Sequence, residues 1–154
     1  MKRDVQFVRS LQARYSAVKA ILRDRATEVL GGTRCDADAV EVSLTASVRG
    51  TDMSRPVRIE VTGFDEPAGA ATGAHLHLRG NAVRRPGLFP HLECRINAVP
   101  VAEDRTALFL VATYKPPLGM LGGLADALAL YRFGESSLER WFHEVVDRIE
   151  ADAG

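Results

Sequence analysis

Hydrophobic and polar residues alternate along most of this chain with a period of two, and twice the period lengthens to that of a helix. Val5, Phe7 and Leu11 alternate with Gln6, Ser10 and Gln12, which predicts a half-buried strand over residues 4–13. Val18, Ile21, Leu22, Val29 and Leu30 then recur at helical spacing. Ser16 is available as an N-cap and Gly31-Gly32 as a stop, so one amphipathic helix is expected here. From Val40 the alternation is strict, with Val40, Val42, Leu44, Ala46 and Val48 on one face and Glu41, Ser43, Thr45, Ser47 and Arg49 on the other. Val57, Ile59 and Val61 repeat it after a polar turn at 50–55, which reads as an antiparallel hairpin. The small residues and breakers of 64–74 predict a loop.

Alternating runs follow at 75–79, 91–99 and 105–114. The last is apolar on both faces, as expected of a strand inside the sheet or one covered on both sides. Leu124, Leu128, Tyr131, Leu138, Trp141, Phe142, Val145 and Ile149 form a long helical stripe interrupted only by Gly134. A glycine there costs roughly 1 kcal/mol relative to alanine, too little to break a packed helix. The order of elements is strand, helix, several antiparallel strands and one long helix, an α+β plan. A sheet crossed by a single helix must curl around it, and a gap between the two is where a ligand would sit.

Composition narrows the classes. A chain of 154 residues, 46% hydrophobic, fits one domain spanning 1–154. Its net charge of zero, with acids and bases interleaved, offers nothing to nucleic acid or an anionic membrane. No apolar run approaches the ~20 residues of a membrane span, and the N-terminus lacks a signal-peptide core, so a cytoplasmic protein is expected. Cys35 and Cys94 are too few and too far apart for a disulfide framework or a metal knuckle.

Three residue patterns invite chemistry. "GMLGGLAD", residues 119–126, sits where a phosphate loop could, but it lacks the Lys and hydroxyl such a loop needs. It reads instead as a joint between strand and helix, with Pro116 and Pro117 ending the strand. His75 and His77 project from one strand face, yet His91 and His143 have no spacing that supplies a third ligand, so no metal is expected. If that face lines the cavity, His75, His77 and Arg79 become polar anchors for a ligand's oxygen atoms. Asp126 and Arg132 lie too far round the helix to face each other, so each is expected to meet another element. No nucleophile elbow or activated cysteine stands out, so no catalytic residue is assigned.

The stretch from "GLFPHLECRINAVP" to the end of the long helix resembles the C-terminal half of the START-like, or SRPBCC, superfamily. It is similar in particular to small actinobacterial polyketide cyclase-like proteins. Leu88-Phe89-Pro90 carry the resemblance first, then Tyr114, Pro116, Pro117, Leu118, Gly119 and Gly122, then Asp126 and Arg132. One departure is Gly80, where a Trp is expected after Leu78-Arg79. The resemblance implies a helix-grip fold: a curved antiparallel sheet of six or seven strands wrapped around the C-terminal helix, with a short helix after the first strand. It implies a cavity for a small apolar molecule, with no cofactor. The candidate lining is His75, His77, Arg79, Tyr114, Leu124, Leu128, Tyr131, Trp141 and Phe142. Two alternatives stand beside ligand binding: a cyclase-like or dehydratase-like enzyme drafting Arg79, His77 and Tyr114, and an interaction module that forms a homodimer through wet sheet faces or edges.

Overall fold

The computed structural model describes residues 3–48, 50–68, 73–83, 91–115 and 124–154; the side chains at 3, 48, 114, 115 and 124–133 lie outside the description. Strand β1 (Arg3–Leu11) leads into helices α1 (Tyr15–Asp24) and α2 (Ala26–Leu30). Six strands follow: β2 (Thr33–Asp36), β3 (Ala39–Val48), β4 (Thr51–Asp65), β5 (Ala74–Ala82), β6 (His91–Ala102) and β7 (Arg105–Lys115). Helix α3 (Leu124–Ala153) closes the chain. All seven strands form one curved antiparallel sheet in the order β1-β7-β6-β5-β4-β3-β2. Consecutive strands therefore lie side by side from β2 to β7, and β1 completes the sheet beyond β7.

The period-two pattern decides which face meets the helices. Val40, Val42, Leu44, Val57, Ile59, Leu76, Leu78, Ile96, Leu108 and Leu110 are buried on the inner face, together with Phe142, Val145, Val146 and Ile149 of α3. Burying a side chain of this size contributes about 1.5–3 kcal/mol, so this layer dominates the stability of the fold. β7 does lie inside the sheet, between β1 and β6, but its outer positions Ala107, Phe109 and Val111 are only half-buried.

The expected single N-terminal helix is two. Arg14, not Ser16, occupies the N-cap of α1 and makes no side-chain capping bond. The helix breaks at Arg25, where φ is −132° and ψ 29°. The break turns Ala26, Val29 and Leu30 into the core, while the Arg25 guanidinium ties Glu28 to Asp152 at the end of α3. Gly32 then runs so close to β3 that a Cβ would lie 2.1 Å from the Glu41 carbonyl oxygen, at a φ of +69° that disfavours any other residue.

The hairpin of β3 and β4 is longer and tighter than expected. Its ladder runs to Val48↔Thr51, so 51–55 are strand and not turn. β4 also continues to Asp65, through the first part of the predicted loop, and it does so with a bulge. Val61 opposes Leu78 and Gly63 opposes His77, which leaves Thr62 as the extra residue. The short edge strand β2 has no periodic signal of its own and was not expected.

Candidate functional site

The space between sheet and helix is built from the inner face. At its Leu11 end, just before α1, the Thr106 hydroxyl donates to the Ala13 carbonyl at 2.8 Å. Ser137, the other buried hydroxyl among the described residues, donates to the Gly134 carbonyl at 3.2 Å within its own helix. Arg9 stands on the same face of β1 as Leu11, but its guanidinium reaches α3, donating to the His143 carbonyl at 3.1 Å and pairing with Asp147 at 2.5 Å. Apart from the Cys94 thiol, the described inner face therefore presents carbon, and Thr106, Ser137 and Arg9 already have protein partners.

Trp141 and Phe142 lie in this core. Phe142 is fully buried. The Trp141 indole donates to the Leu30 carbonyl at 3.0 Å, satisfying an acceptor at the end of α2 that no helical N–H reaches. Arg148 does the same for the Val29 carbonyl at 3.2 Å. Gly80 leaves no hole: a Cβ there would lie 3.0 Å from Leu92 Cδ2 and 3.3 Å from Ile59 Cδ1, so these two side chains already occupy the space. Trp141, engaged with α2, does a different job from the tryptophan expected near Gly80.

At the other end of the inner face, Leu92, Cys94 and Ala112 are buried. Tyr114 pairs with Leu92 and Arg3 in the ladder, but its side chain lies outside the described residues. So do those of Leu124, Leu128, Tyr131, Asp126 and Arg132. Leu88-Phe89-Pro90 and the whole joint at 116–123 lie outside them altogether.

His75, His77 and Arg79 are on the opposite, outer face of the sheet, which corrects their expected place in the cavity wall. The reason is the pleat: Leu76, Leu78 and Gly80 take the buried positions of β5, so the odd-numbered residues must point away. There they join two polar clusters. In the first, Asp65 Oδ1 lies 2.8 Å from His77 Nε2 and 3.9 Å from His75 Nδ1. In the second, Glu93 Oε1 accepts from Arg79 Nε and lies by His91 Nε2, each at 3.3 Å, while His91 Nδ1 meets Asn81 Oδ1 at 2.8 Å. Partial burial alone would raise the Glu93 carboxyl, but bonding to His91 and Arg79 outweighs it and holds the group below its ordinary range.

A depression of about 420 Å³ on this outer face is lined by Thr62, Gly63, His77, Glu93, Arg95 and Thr113 among others. Gly63 borders it, and a Cβ built there would make only ordinary contact with the His77 ring, at 3.9 Å. No periodicity or motif marks Asp65 as a partner of the histidines. Counted on from Val57, Ile59 and Val61, Asp65 belongs to the inner face, and only the extra residue Thr62 turns it out.

Comparison with known proteins follows the same division between fold and site. No protein-family model matches the chain, and no curated protein matches it significantly. Solved structures do match. Zhui aromatase/cyclase from Streptomyces sp. R1128 aligns over 99% of this chain and 94% of its own, with a TM-score of 0.57 at 17% identity. A START superfamily protein from Mycobacterium smegmatis aligns over 96% and 97%, with a TM-score of 0.53 at 16% identity. The chain has the START-like helix-grip fold. Ara h 8.0201 shares it too, at 8% identity and a TM-score of 0.56 over 98% of this chain and 99% of its own. At such identities the START-like likeness is one of architecture, and it assigns no residue a role.

Proposed function

We propose that this START-like protein binds a small hydrophobic or amphipathic molecule, of lipid, polyketide or aromatic class, between the inner face of its sheet and α3. The observation that carries the reading is the carbon-lined inner face, in a fold shared along its whole length with an aromatase/cyclase and a START superfamily protein. At the Leu11 end of that face, Thr106 is engaged with the Ala13 carbonyl just before α1. On this reading the ligand lies toward Leu78, Leu92, Cys94 and Ala112, and the sequence candidates Tyr114, Leu124, Leu128 and Tyr131 are proposed as further contacts. Trp141 and Phe142 form the packed end against which it stops.

Binding is favoured over catalysis by the state of the inner polar groups. Among the described residues, Thr106, Ser137 and Arg9 are engaged with backbone or with α3, and His77 and Arg79, two of the three residues that a cyclase-like reaction would draft, lie on the other face. General acid–base chemistry needs a proton-carrying group within hydrogen-bond reach of the substrate.

Native mass spectrometry of the purified chain, followed by solvent extraction, tests the reading. The expected result is a reproducible adduct of one small molecule, released on denaturation and weakened by Ala112→Trp, which fills the space beside Cys94. A bare chain mass in every preparation, with no uptake from a panel of fatty acids and polycyclic aromatics, overturns it.

A further inference from the structure

We propose that Asp65, His75 and His77 form a binding site for a divalent transition-metal ion, with zinc as the reference ion, on the outer face of the sheet. The three side chains offer one carboxylate oxygen and two imidazole nitrogens, all within 4.8 Å of one another. Ligands around tetrahedral zinc bond at about 2.0–2.2 Å and so stand roughly 3.4 Å apart. Asp65 Oδ1 already lies between the two rings, at 2.8 Å from His77 and 3.9 Å from His75. Small rotations of the side chains reach the required spacing with no change in the strands.

The donor set selects the ion. Two imidazoles and one carboxylate suit zinc, copper, nickel or iron, whereas calcium and magnesium require oxygen ligands throughout. Three protein ligands leave at least one coordination position for water or an anion. The neighbours across the strand pair are suited to serve that position. Asn97 stands opposite His75 and Arg95 opposite His77, and each holds a buried polar atom, Asn97 Oδ1 and Arg95 Nε, without a hydrogen-bond partner among the described residues. A metal-bound water donates to the first kind of atom, and a metal-bound anion accepts from the second. The depression beside His77 gives such a ligand access.

The backbone supports the same conclusion. The bulge at Thr62 turns Asp65 out opposite His75 and sends Phe64 in toward the core. Bulges re-aim side chains in this way next to functional sites.

Isothermal titration of the untagged, EDTA-treated chain with ZnCl2 tests the site, with Co2+ absorption as a second readout of coordination. One zinc per chain is expected. Asp65→Asn and His77→Ala should each weaken it at least about tenfold, since losing even an outer-sphere partner costs 10–100-fold. His91→Ala, on the same face but outside the trio, and Cys35→Ser, which removes the exposed thiol, should bind as the parent does. Asp65 and His77 both lie at the surface of the sheet, and matching thermal unfolding in EDTA verifies that the variants fold. The absence of saturable one-to-one binding overturns the proposal, as does binding unchanged by Asp65→Asn and His77→Ala, or binding lost with Cys35→Ser.

Discussion

Cys94 and Cys35 have the same functional group and opposite fates. Cys35 is exposed on the edge strand β2, while Cys94 is buried on the inner face of β6. Burial, with a smaller contribution from the Glu93 charge, pushes the Cys94 thiol up to about 12, so almost none of it is the reactive thiolate at mildly alkaline pH. An alkylating reagent should add once to the native chain, at Cys35, and a second time only after denaturation. Peptide mapping checks this, and equally fast labelling of Cys94 would refute its burial. Tyr15 and Glu66 form a second residue-scale pair: the phenol donates to Glu66 Oε2 at 2.5 Å, and Lys19 lies 3.3 Å from the same oxygen. The Tyr15 bond, then that of Lys19, holds the Glu66 carboxyl below its ordinary range. Burial and the bond to Glu66 push the Tyr15 phenol from 10.0 up to about 12. A lowered carboxylate stabilises the fold above its unfolded value, and that contribution goes as pH falls through the folded one. The raised phenol stabilises below pH 10 and loses its contribution as pH rises through about 12. Tyr15→Phe should therefore lower the unfolding midpoint at neutral pH and much less in acid, where Glu66 is protonated; an equal loss in both would show that the pair contributes nothing.

Elements are joined by groups that a sequence does not pair. The two carbonyls at the end of α2 are satisfied from α3, by the Trp141 indole and the Arg148 guanidinium. Sequence spacing alone offers Arg148 a partner in Glu144, four residues earlier; that contact exists at 3.9 Å, but the bond to Val29 is shorter at 3.2 Å. Trp141→Phe keeps most of the apolar volume and removes the donor, leaving the Leu30 carbonyl buried without one. It should cost about 1–3 kcal/mol in urea unfolding. A loss near zero would mean that water replaces the indole. The break at Arg25 and the bulge at Thr62 are of the same kind. Each interrupts a regular period, and each is resolved by what the neighbouring element requires: α2 turns toward α3, and Asp65 turns toward His75.

At the scale of the molecule, α3 packs across the sheet that the described strands form. The second half of α3 supplies Leu138, Trp141, Phe142, Val145, Val146 and Ile149 to the core and packs chiefly on β3 and β1, on both sides of the sheet's curve. Phe142→Ala removes a fully buried ring from the centre of this contact and should cost about 3–5 kcal/mol, a large part of a typical domain's total stability. Chemical denaturation measures it, and a cost under 1 kcal/mol would mean that the sheet holds its curvature without the helix. None of the described helices is long and apolar enough to cross a membrane.

The sequence by itself determined the α+β plan, the alternation that divides each strand into a core face and a wet face, and the long closing helix. These are local properties, because periods of two and 3.6 residues are set by backbone geometry and by which side chains avoid water. His75 and His77 were legible as neighbours on one strand face for the same reason. Whether that face looked inward or outward was not, since alternation separates two faces without saying which one the helix covers. Asp65 was illegible altogether: it lies ten residues before His75, and one extra residue in β4 reverses its side of the sheet. Only the tertiary structure decided that the histidines look outward and acquire a carboxylate, because a cross-strand register depends on pairings between segments that the chain does not hold together locally.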